Sequence, residues 1–146
     1  MKNEKISKAL SRPEPVNKSN VPLALLCTGL SLYAGEGTKR GSTVDFANMD
    51  VKIIKVWLKF IRTLGVRDSR IRIRVKTNKN LKQKDERFWS EKTKIPLTQF
   101  NKAWLVDSKN HRDHGVCYVR VNDKNLLKKI NFWVSELFDQ FLGDTG

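Results

Sequence analysis

The alternation of hydrophobic and polar residues divides the chain into helical and strand-like segments. An apolar run predicts a first helix over residues 22–35, with Asn20 placed to cap it. Apolar residues recur at the spacing of one helix face after Asp50, which predicts a second helix that ends at Gly65. Asp123 caps a last predicted helix with a broad apolar stripe. This stripe consists of Leu126, Ile130, Trp133, Val134, Leu137, Phe138 and Phe141.

Three other segments alternate with the period of a β-strand, namely residues 43–48, 70–76 and 116–122. The middle segment, RIRIRVK, is the most regular, because aliphatic residues occupy one side and cations the other. The aliphatic residues are Ile71, Ile73 and Val75, and the cations are Arg70, Arg72, Arg74 and Lys76. The pattern predicts a half-buried strand whose outer side is wholly cationic.

Residues 78–114 carry a weaker pattern. A short helix is predicted over 84–92, and another helical turn or two within 98–105. The order of elements, α-β-α-β-(α)-β-α, is typical of an α+β domain with helices on one face of a sheet and a basic face left open. Residues 1–20 are polar and basic, so we expect a flexible N-terminal arm before a single domain at residues 21–142.

Composition narrows the class of partner. The chain has 146 residues, enough for one domain with its own core, and 29 Lys and Arg against 15 Asp and Glu give a net charge of +14. This charge favours a polyanion, nucleic acid first and an anionic membrane surface second, although a merely basic or ribosome-associated protein would share it. The apolar run at 22–35 is too short to span a bilayer, so no membrane partner is expected. Cys27 and Cys117 lack CxxC spacing, which favours buried free thiols in a reducing cytoplasm.

The cationic side of the middle strand has two interpretations. Charge can protect a solvated edge strand from pairing with another chain. Basic residues at consecutive positions on one side also repel one another, and a polyanion lying across them removes that repulsion. We therefore predict nucleic-acid contact through the outward-facing rows of two strands. The rows are Arg70, Arg72, Arg74 and Lys76 in one strand and Tyr118, Arg120 and Asn122 in the other.

Two other segments contain residue types found in ligand-binding sites, but they lack the neighbouring secondary structure or the further ligands that such sites need. The glycine-rich GEGTKRGS at 35–42 follows a helix, whereas a phosphate loop follows a strand and opens a helix. No nucleotide cofactor is therefore expected. His111 and His114 lack a second pair of ligands, which favours solvated loop histidines over a zinc site.

Small residues follow one side of the first predicted helix, on a stripe that would let two helix backbones approach closely. They are Ala24, Thr28, Ser31 and Gly35. Glu36 comes next, at the C-terminal end, where the helix dipole disfavours an anion. If two copies of this helix cross on a two-fold axis, their Glu36 carboxylates meet, and a divalent cation between them would remove the repulsion. The alternative is that the stripe packs against the protein's own sheet.

The segment GLSLYAGEG at 29–37 resembles the LAGLIDADG motif of homing endonucleases. Ser31 and Gly35 match the small interface positions, and Glu36 matches the catalytic acid. The segments VDFANMDVKIIKVWLKFIRTLGV, ERFWSEKTKIP and HGVCYVRVND are similar to the remainder of a single-motif domain. The resemblance therefore covers about residues 21–142.

The resemblance implies a fold and an activity. The fold is αββαββα, with helices on one face of a curved antiparallel sheet, and the assembly is a homodimer over double-stranded DNA. The activity is Mg²⁺-dependent hydrolysis of phosphodiester bonds, with Glu36 as the catalytic and metal-binding residue. Lys39 and Arg40, just beyond the acid, are the nearest candidates for auxiliary basic residues, and we include them among the DNA-binding residues.

Two departures from the family pattern bear on function. The acid is Glu36, where Asp is commoner. Residues 38–42 alone separate the motif from the next strand, so we expect a very short first hairpin. The short hairpin favours an alternative, a non-catalytic DNA-binding regulator on the same scaffold, and the basic face also suits an RNA-splicing helper. Each of these functions implies a cytoplasmic, nucleoid-associated protein.

Overall fold

The computed structural model describes residues 15–107 and 114–143, which form an α+β fold. Its helices are α1 (Leu23–Glu36), α2 (Val51–Leu64), α3 (Lys82–Thr93) and α4 (Lys124–Leu142). Its strands are β1 (Thr43–Asn48), β2 (Ile71–Thr77), β3 (Trp104–Leu105) and β4 (Val116–Asn122). The α+β class predicted from the sequence is confirmed.

The strands form one sheet in the order β1-β4-β2-β3. The central strand β4 is antiparallel to both β1 and β2, whereas β3 runs parallel to β2 over a two-residue strand. The sheet is therefore mixed rather than wholly antiparallel. The register places Asp45 of β1 beside Arg120 of β4, and Arg120 beside Arg72 of β2.

One side of the sheet is apolar and fully covered. Its side chains are buried, and together with helix residues they form a single core. They are Val44, Phe46, Ile71, Ile73, Val75, Cys117, Val119 and Val121. The Trp57 ring of α2 lies in this core, 4.8 Å from the Phe46 ring and 5.3 Å from the Tyr33 ring, measured between centroids. The alternation read from the sequence correctly predicts which strand residues face the core.

Most of the predicted helix ends are confirmed. The Asp50 carboxylate accepts hydrogen bonds from the first backbone amides of α2, and Gly65 ends that helix in the left-handed conformation, with φ 119°. Asp123 caps α4 in the same way. Asn20 is an exception, because it belongs to a short 3₁₀ turn, and α1 begins after Pro22 with no side-chain cap.

The segment 98–105 is the clearest error in the secondary-structure prediction. A helical turn was expected, and the chain instead forms a 3₁₀ turn at Leu97–Gln99 followed by β3. Backbone hydrogen bonds explain the difference, since the Asn101 amide donates to the Ile73 carbonyl and the Val106 amide donates to the Thr77 carbonyl. Pairing with the edge of β2 therefore decides this conformation, and local residue preference does not.

The region between α1 and α2 departs from an αββαββα order. It contains one strand, β1, and in place of a second strand an isolated bridge joins Gly37 to Phe46. The Thr38 amide also donates to the Asp45 carbonyl at 3.0 Å. The first hairpin is thus as short as the sequence predicts. Between β2 and β4 the chain adds α3 and β3, so the described order is αβαβαββα.

The N-terminal segment joins the fold before residue 21. Of the predicted arm, residues 1–14 lie outside the described residues. Val16 packs against the core, and the Asn17 amide donates to the Leu64 carbonyl at the end of α2. Across the described ranges, every helix is too short or too polar to cross a membrane.

Candidate functional site

The side of the sheet opposite the core carries most of the predicted nucleic-acid contacts. We call it the cationic face and define it by Asp45, Arg72, Arg74, Lys76, Trp104, Tyr118 and Arg120. Its arginines, lysine and tyrosine are half-buried, since they lie against one another and against the sheet backbone. Neighbouring strands bring Arg72 beside Arg120 and Arg74 beside Tyr118, as the outward-facing rows predict.

Two of the three arginines of the cationic face, Arg72 and Arg74, are held by backbone carbonyls. Arg74 donates from Nε to the Lys102 carbonyl at 2.9 Å, and Arg72 donates from one terminal nitrogen to the Ser69 carbonyl at 2.8 Å. A guanidinium carries five N–H donors, so each keeps donors for a further acceptor. These contacts fix the position of each cation through neutral acceptors, which suits phosphate binding.

Arg70 does not belong to the cationic face, although the sequence places it in the row. It lies in the turn before β2, and its side chain is 9% exposed. Its guanidinium donates to the Asn122 carbonyl at 2.7 Å and lies 3.8 Å from an Asp123 carboxylate oxygen. Asn122 is exposed at the end of β4, where its side-chain oxygen accepts from the Thr43 hydroxyl. Arg70 therefore joins the start of β2 to the start of α4.

Asp45 is an acid on the cationic face that the sequence interpretation missed. Arg120 donates from Nε to an Asp45 carboxylate oxygen at 3.2 Å. Burial raises the pKa of Asp45, and the nearby Arg120 and Arg74 guanidinium groups oppose that rise. Its other oxygen, Oδ1, is buried without a hydrogen-bond partner among the described residues. Because 43–48 alternates, the outward direction of Asp45 was available from the sequence, but its pairing with β4 was not.

Trp104 is the second residue of this face that the sequence did not indicate. Its side chain is 47% exposed. The Lys76 ammonium lies 4.4 Å from the centroid of its ring, and the Tyr118 ring centroid lies 6.0 Å away. No sequence signal identified Trp104, because segment 98–105 was predicted to be helical.

Glu36 is the last residue of α1 and is exposed. Its carboxylate accepts a hydrogen bond from the Asn48 side-chain amide at 2.5 Å. Asn48 is held in turn, since its side-chain oxygen accepts from the Asp50 amide at 2.8 Å. The predicted acid is therefore oriented by a neighbour at the end of β1, a contact that the sequence did not reveal. Lys39 and Arg40 are exposed in the loop that follows.

The small stripe on α1 faces outward. All four of its residues, Ala24, Thr28, Ser31 and Gly35, are exposed. A side chain at Gly35 would meet nothing within 4 Å. The alternative, in which the stripe packs against the protein's own sheet, is wrong, because the opposite side of α1 makes that contact through Leu30 and Tyr33.

Apolar side chains near this stripe are also exposed. Leu23 at the start of α1 is 74% exposed, and Phe141 near the end of α4 is 81% exposed. Of the stripe predicted along α4, Leu126 and Ile130 are buried, Trp133, Val134 and Leu137 are partly buried against the core, and Phe138 and Phe141 are exposed. Leu23 and Phe141 line one shallow groove between α1 and α4.

A single chain supplies few ligands for a metal ion. Within the described ranges, no group of three or more His, Cys, Asp or Glu side chains is arranged to hold one. Mg²⁺ is commonly held by one or two carboxylates together with water and phosphate oxygens. One Glu36 from each of two copies fits that donor set, and the exposed helix end leaves room for a phosphate.

His114 lies away from this end of the molecule and has a structural role. The Thr77 hydroxyl donates to the buried Asp85 carboxylate, and His114 Nδ1 lies 3.5 Å from the other oxygen of that carboxylate. The His114 ring stacks on Phe88, with centroids 3.5 Å apart. These contacts join β2, α3 and the start of β4. His111 lies outside the described residues.

Comparison of the chain with protein-family models, with curated proteins and with solved structures gives no match. The resemblance to LAGLIDADG proteins rests on the motif around Glu36 and on the segments that follow it.

Proposed function

We propose that this chain is a DNA-binding homodimer of LAGLIDADG type that hydrolyses phosphodiester bonds in double-stranded DNA with Mg²⁺. The observation that supports it most is the position of Glu36. This acid is exposed at the C-terminal end of a helix whose small-residue side is exposed as well. A buried or fully paired Glu36 would have argued against a role in catalysis.

The homodimer forms through α1. Its outer side presents Ala24, Thr28, Ser31 and Gly35, so a second α1 can approach without displacing any large side chain. A two-fold axis through this contact brings the two Glu36 residues together and extends two cationic faces into one surface. DNA lies across that surface.

The proposed reaction assigns a role to each residue of the candidate site. Arg72, Arg74 and Lys76 bind phosphates and orient the duplex. The Glu36 carboxylates of the two copies would hold Mg²⁺, which would supply positive charge to the phosphoryl oxygens and lower the pKa of a bound water. Asn48 positions Glu36 through its side-chain amide. Lys39 and Arg40 supply positive charge beside the reacting phosphate.

Incubation of supercoiled plasmid with the protein and Mg²⁺ tests the proposal. Wild type converts the plasmid to nicked and linear forms, and Glu36→Gln does not, because an amide is a poor Mg²⁺ ligand. Glu91→Gln is the matched control, since it removes the same charge from the exposed surface of α3. A wild type that binds the plasmid and leaves it intact in Mg²⁺ would overturn the nuclease proposal.

The short first hairpin favours a second candidate function, a non-catalytic DNA-binding regulator. A single bridge at Gly37 offers little surface for reading bases. Under this function Glu36→Gln binds DNA as wild type does and neither protein cleaves it. Salt dependence then measures the phosphate contacts, and each of Arg74→Gln and Lys76→Gln lowers the log–log slope by roughly 1. Either function places the protein at the nucleoid.

A further inference from the structure

We propose that one corner of the cationic face binds an unpaired nucleic-acid base by stacking. We call it the Trp104 corner and define it by Trp104, Lys76, Tyr118 and Arg74. The inference rests on the nucleic-acid binding proposed above and deepens it, because it names the form of nucleic acid that this surface prefers.

Trp104 is in an unusual environment for a tryptophan of this chain. Trp57 and Trp89 are 0% exposed in the core, and Trp133 is partly buried against it, with Lys18 5.7 Å from its ring centroid, whereas Trp104 is 47% exposed on β3. The groups beside its ring are the Lys76 ammonium and the Tyr118 ring rather than aliphatic core residues. The Lys76 ammonium makes a favourable cation–π contact with the ring, but the rest of the ring is exposed to water, which is unfavourable for a large apolar surface. A second flat π-system stacked on the exposed part would cover it.

The charges beside the ring select a nucleotide over a neutral aromatic ligand. Lys76 lies 4.4 Å from the Trp104 ring centroid. Arg74 is held by the Lys102 carbonyl next to Tyr118, so its remaining donors stay close to the aromatic pair. A nucleotide offers both complements, a base for the ring and a phosphate for the cations. Aromatic residues interleaved with basic ones are typical of proteins that bind unpaired strands.

An intact duplex would contact the cations of the Trp104 corner but not the face of its aromatic ring. Phosphate contacts need the cations alone, and the flat faces of paired bases are already covered by their neighbours in the stack. The Trp104 corner therefore favours a strand that carries an unpaired base, such as a bulge or a single-stranded segment. Its position on a two-residue edge strand, β3, leaves it accessible to such a base.

Anisotropy titrations at one fixed salt concentration test the proposal with three labelled probes. They are a short duplex, the same duplex with one bulged adenine, and the single strand alone. Stacking of one base predicts that wild type binds the bulged duplex roughly 10-fold more tightly than the intact duplex, and that the single strand, with fewer phosphates to contact, binds mainly through Trp104. Binding also quenches tryptophan fluorescence.

Trp104→Leu removes the flat ring and keeps an apolar side chain of comparable reach. It abolishes the quenching and brings the affinities for the bulged and intact duplexes within about twofold of each other, whereas Trp104→Phe restores part of the preference. Phe132→Leu, at a 61% exposed aromatic on α4, is the matched control and keeps both effects. Circular dichroism melts confirm that each variant is folded.

The outcomes separate this proposal from the one before it. Duplex binding with no preference for the bulge overturns stacking at Trp104 and leaves the proposed function standing. A preference that survives Trp104→Leu also overturns it. Failure to bind any of the three probes overturns both.

Discussion

Two glycines of α1 differ in their surroundings, since Gly29 is buried and Gly35 is exposed. A side-chain carbon added at Gly29 would lie 2.3 Å from the Phe60 ring, whereas one added at Gly35 would meet nothing within 4 Å. Gly29 therefore allows α1 to pack closely on α2. Gly35 has no such role in the single chain, and its neighbours on the stripe are also exposed. Identical residues in one motif thus serve the fold on one side and an open surface on the other.

The largest expected effect is on the packed side. Gly29→Val forces a branched side chain into the Phe60 ring, which is itself buried against Trp57 with centroids 5.4 Å apart. Overpacking of this kind lowers the free energy of unfolding by about 3 kcal/mol. Gly35→Val is the matched control, and at a protein concentration low enough for monomers it changes the free energy of unfolding by less than about 0.5 kcal/mol, because it enters open space within the single chain. Equal destabilisation of the two variants in urea melts would contradict the comparison.

The packed side also predicts a response to alkaline pH. Tyr33 is fully buried beside Gly29, and burial raises its pKa from 10.0 to about 12. The folded state therefore keeps a proton that the unfolded state has lost. This contribution to stability is complete below pH 10 and declines as the pH rises from 10 to about 12.

The decline from Tyr33 amounts to about 2 kcal/mol over that range. Tyr33→Phe carries no ionisable group, so the difference in free energy of unfolding between wild type and this variant measures it. The two curves of stability against pH converge above pH 10 if Tyr33 is responsible. Parallel curves would show that other groups dominate the alkaline loss.

The open side predicts an effect on assembly rather than on folding. Gly35→Leu fits within one chain, but in the proposed homodimer it blocks the close approach of a second α1, so the dimer dissociation constant rises at least 10-fold, by about 1.4 kcal/mol. Sedimentation velocity over a concentration series measures the shift. Leu23→Ala, at the far end of the same helix, should weaken the dimer less. A Gly35→Leu protein that is folded and dimerises like wild type would place the dimer contact elsewhere.

The smallest expected effect is on catalysis and concerns the C-terminal end of α1, where Asn48 contacts Glu36. Asn48→Ala removes the hydrogen bond that orients Glu36, and under the proposed nuclease function it lowers the cleavage rate by roughly fivefold. Because Asn48 acts through Glu36, the Mg²⁺ concentration for half-maximal cleavage also rises. Asn48→Gln restores part of both values. A slower rate with an unchanged Mg²⁺ requirement would assign Asn48 to the turn before α2 instead.

Sequence reasoning succeeded where a local pattern has one physical meaning. The alternation in RIRIRVK predicts β2 because a strand turns successive residues to opposite sides. Asp50 and Gly65 mark the ends of α2 because a cap and a left-handed glycine act within one helical turn. The apolar run before Glu36 likewise predicts that this acid lies at the C-terminal end of α1.

It failed where a contact joins distant parts of the chain. The strand containing Trp104 exists because it pairs with β2, and no local preference marks it. Arg70 lies two residues before Arg72, as the spacing of the cationic row requires. Its side chain nevertheless lies beside Asp123, which is far away in sequence. Asn48 beside Glu36 and Asp45 beside Arg120 depend in the same way on how β1 is placed. The surroundings of the candidate site residues therefore depend on contacts between strands and helices that the sequence pattern does not reveal.

The central position of β4 has a consequence for how the chain folds. Strands β1 and β2 are each paired with β4 and are separated from one another by it. The pair Thr43 and Asn122, at one end of the β1–β4 ladder, is 79 residues apart in sequence. During synthesis, α1, α2 and α3 are therefore made before β4, the strand that completes the sheet. Folding is expected to be slow and to reach completion only late in synthesis, because long-range pairing carries a large loop-closure cost.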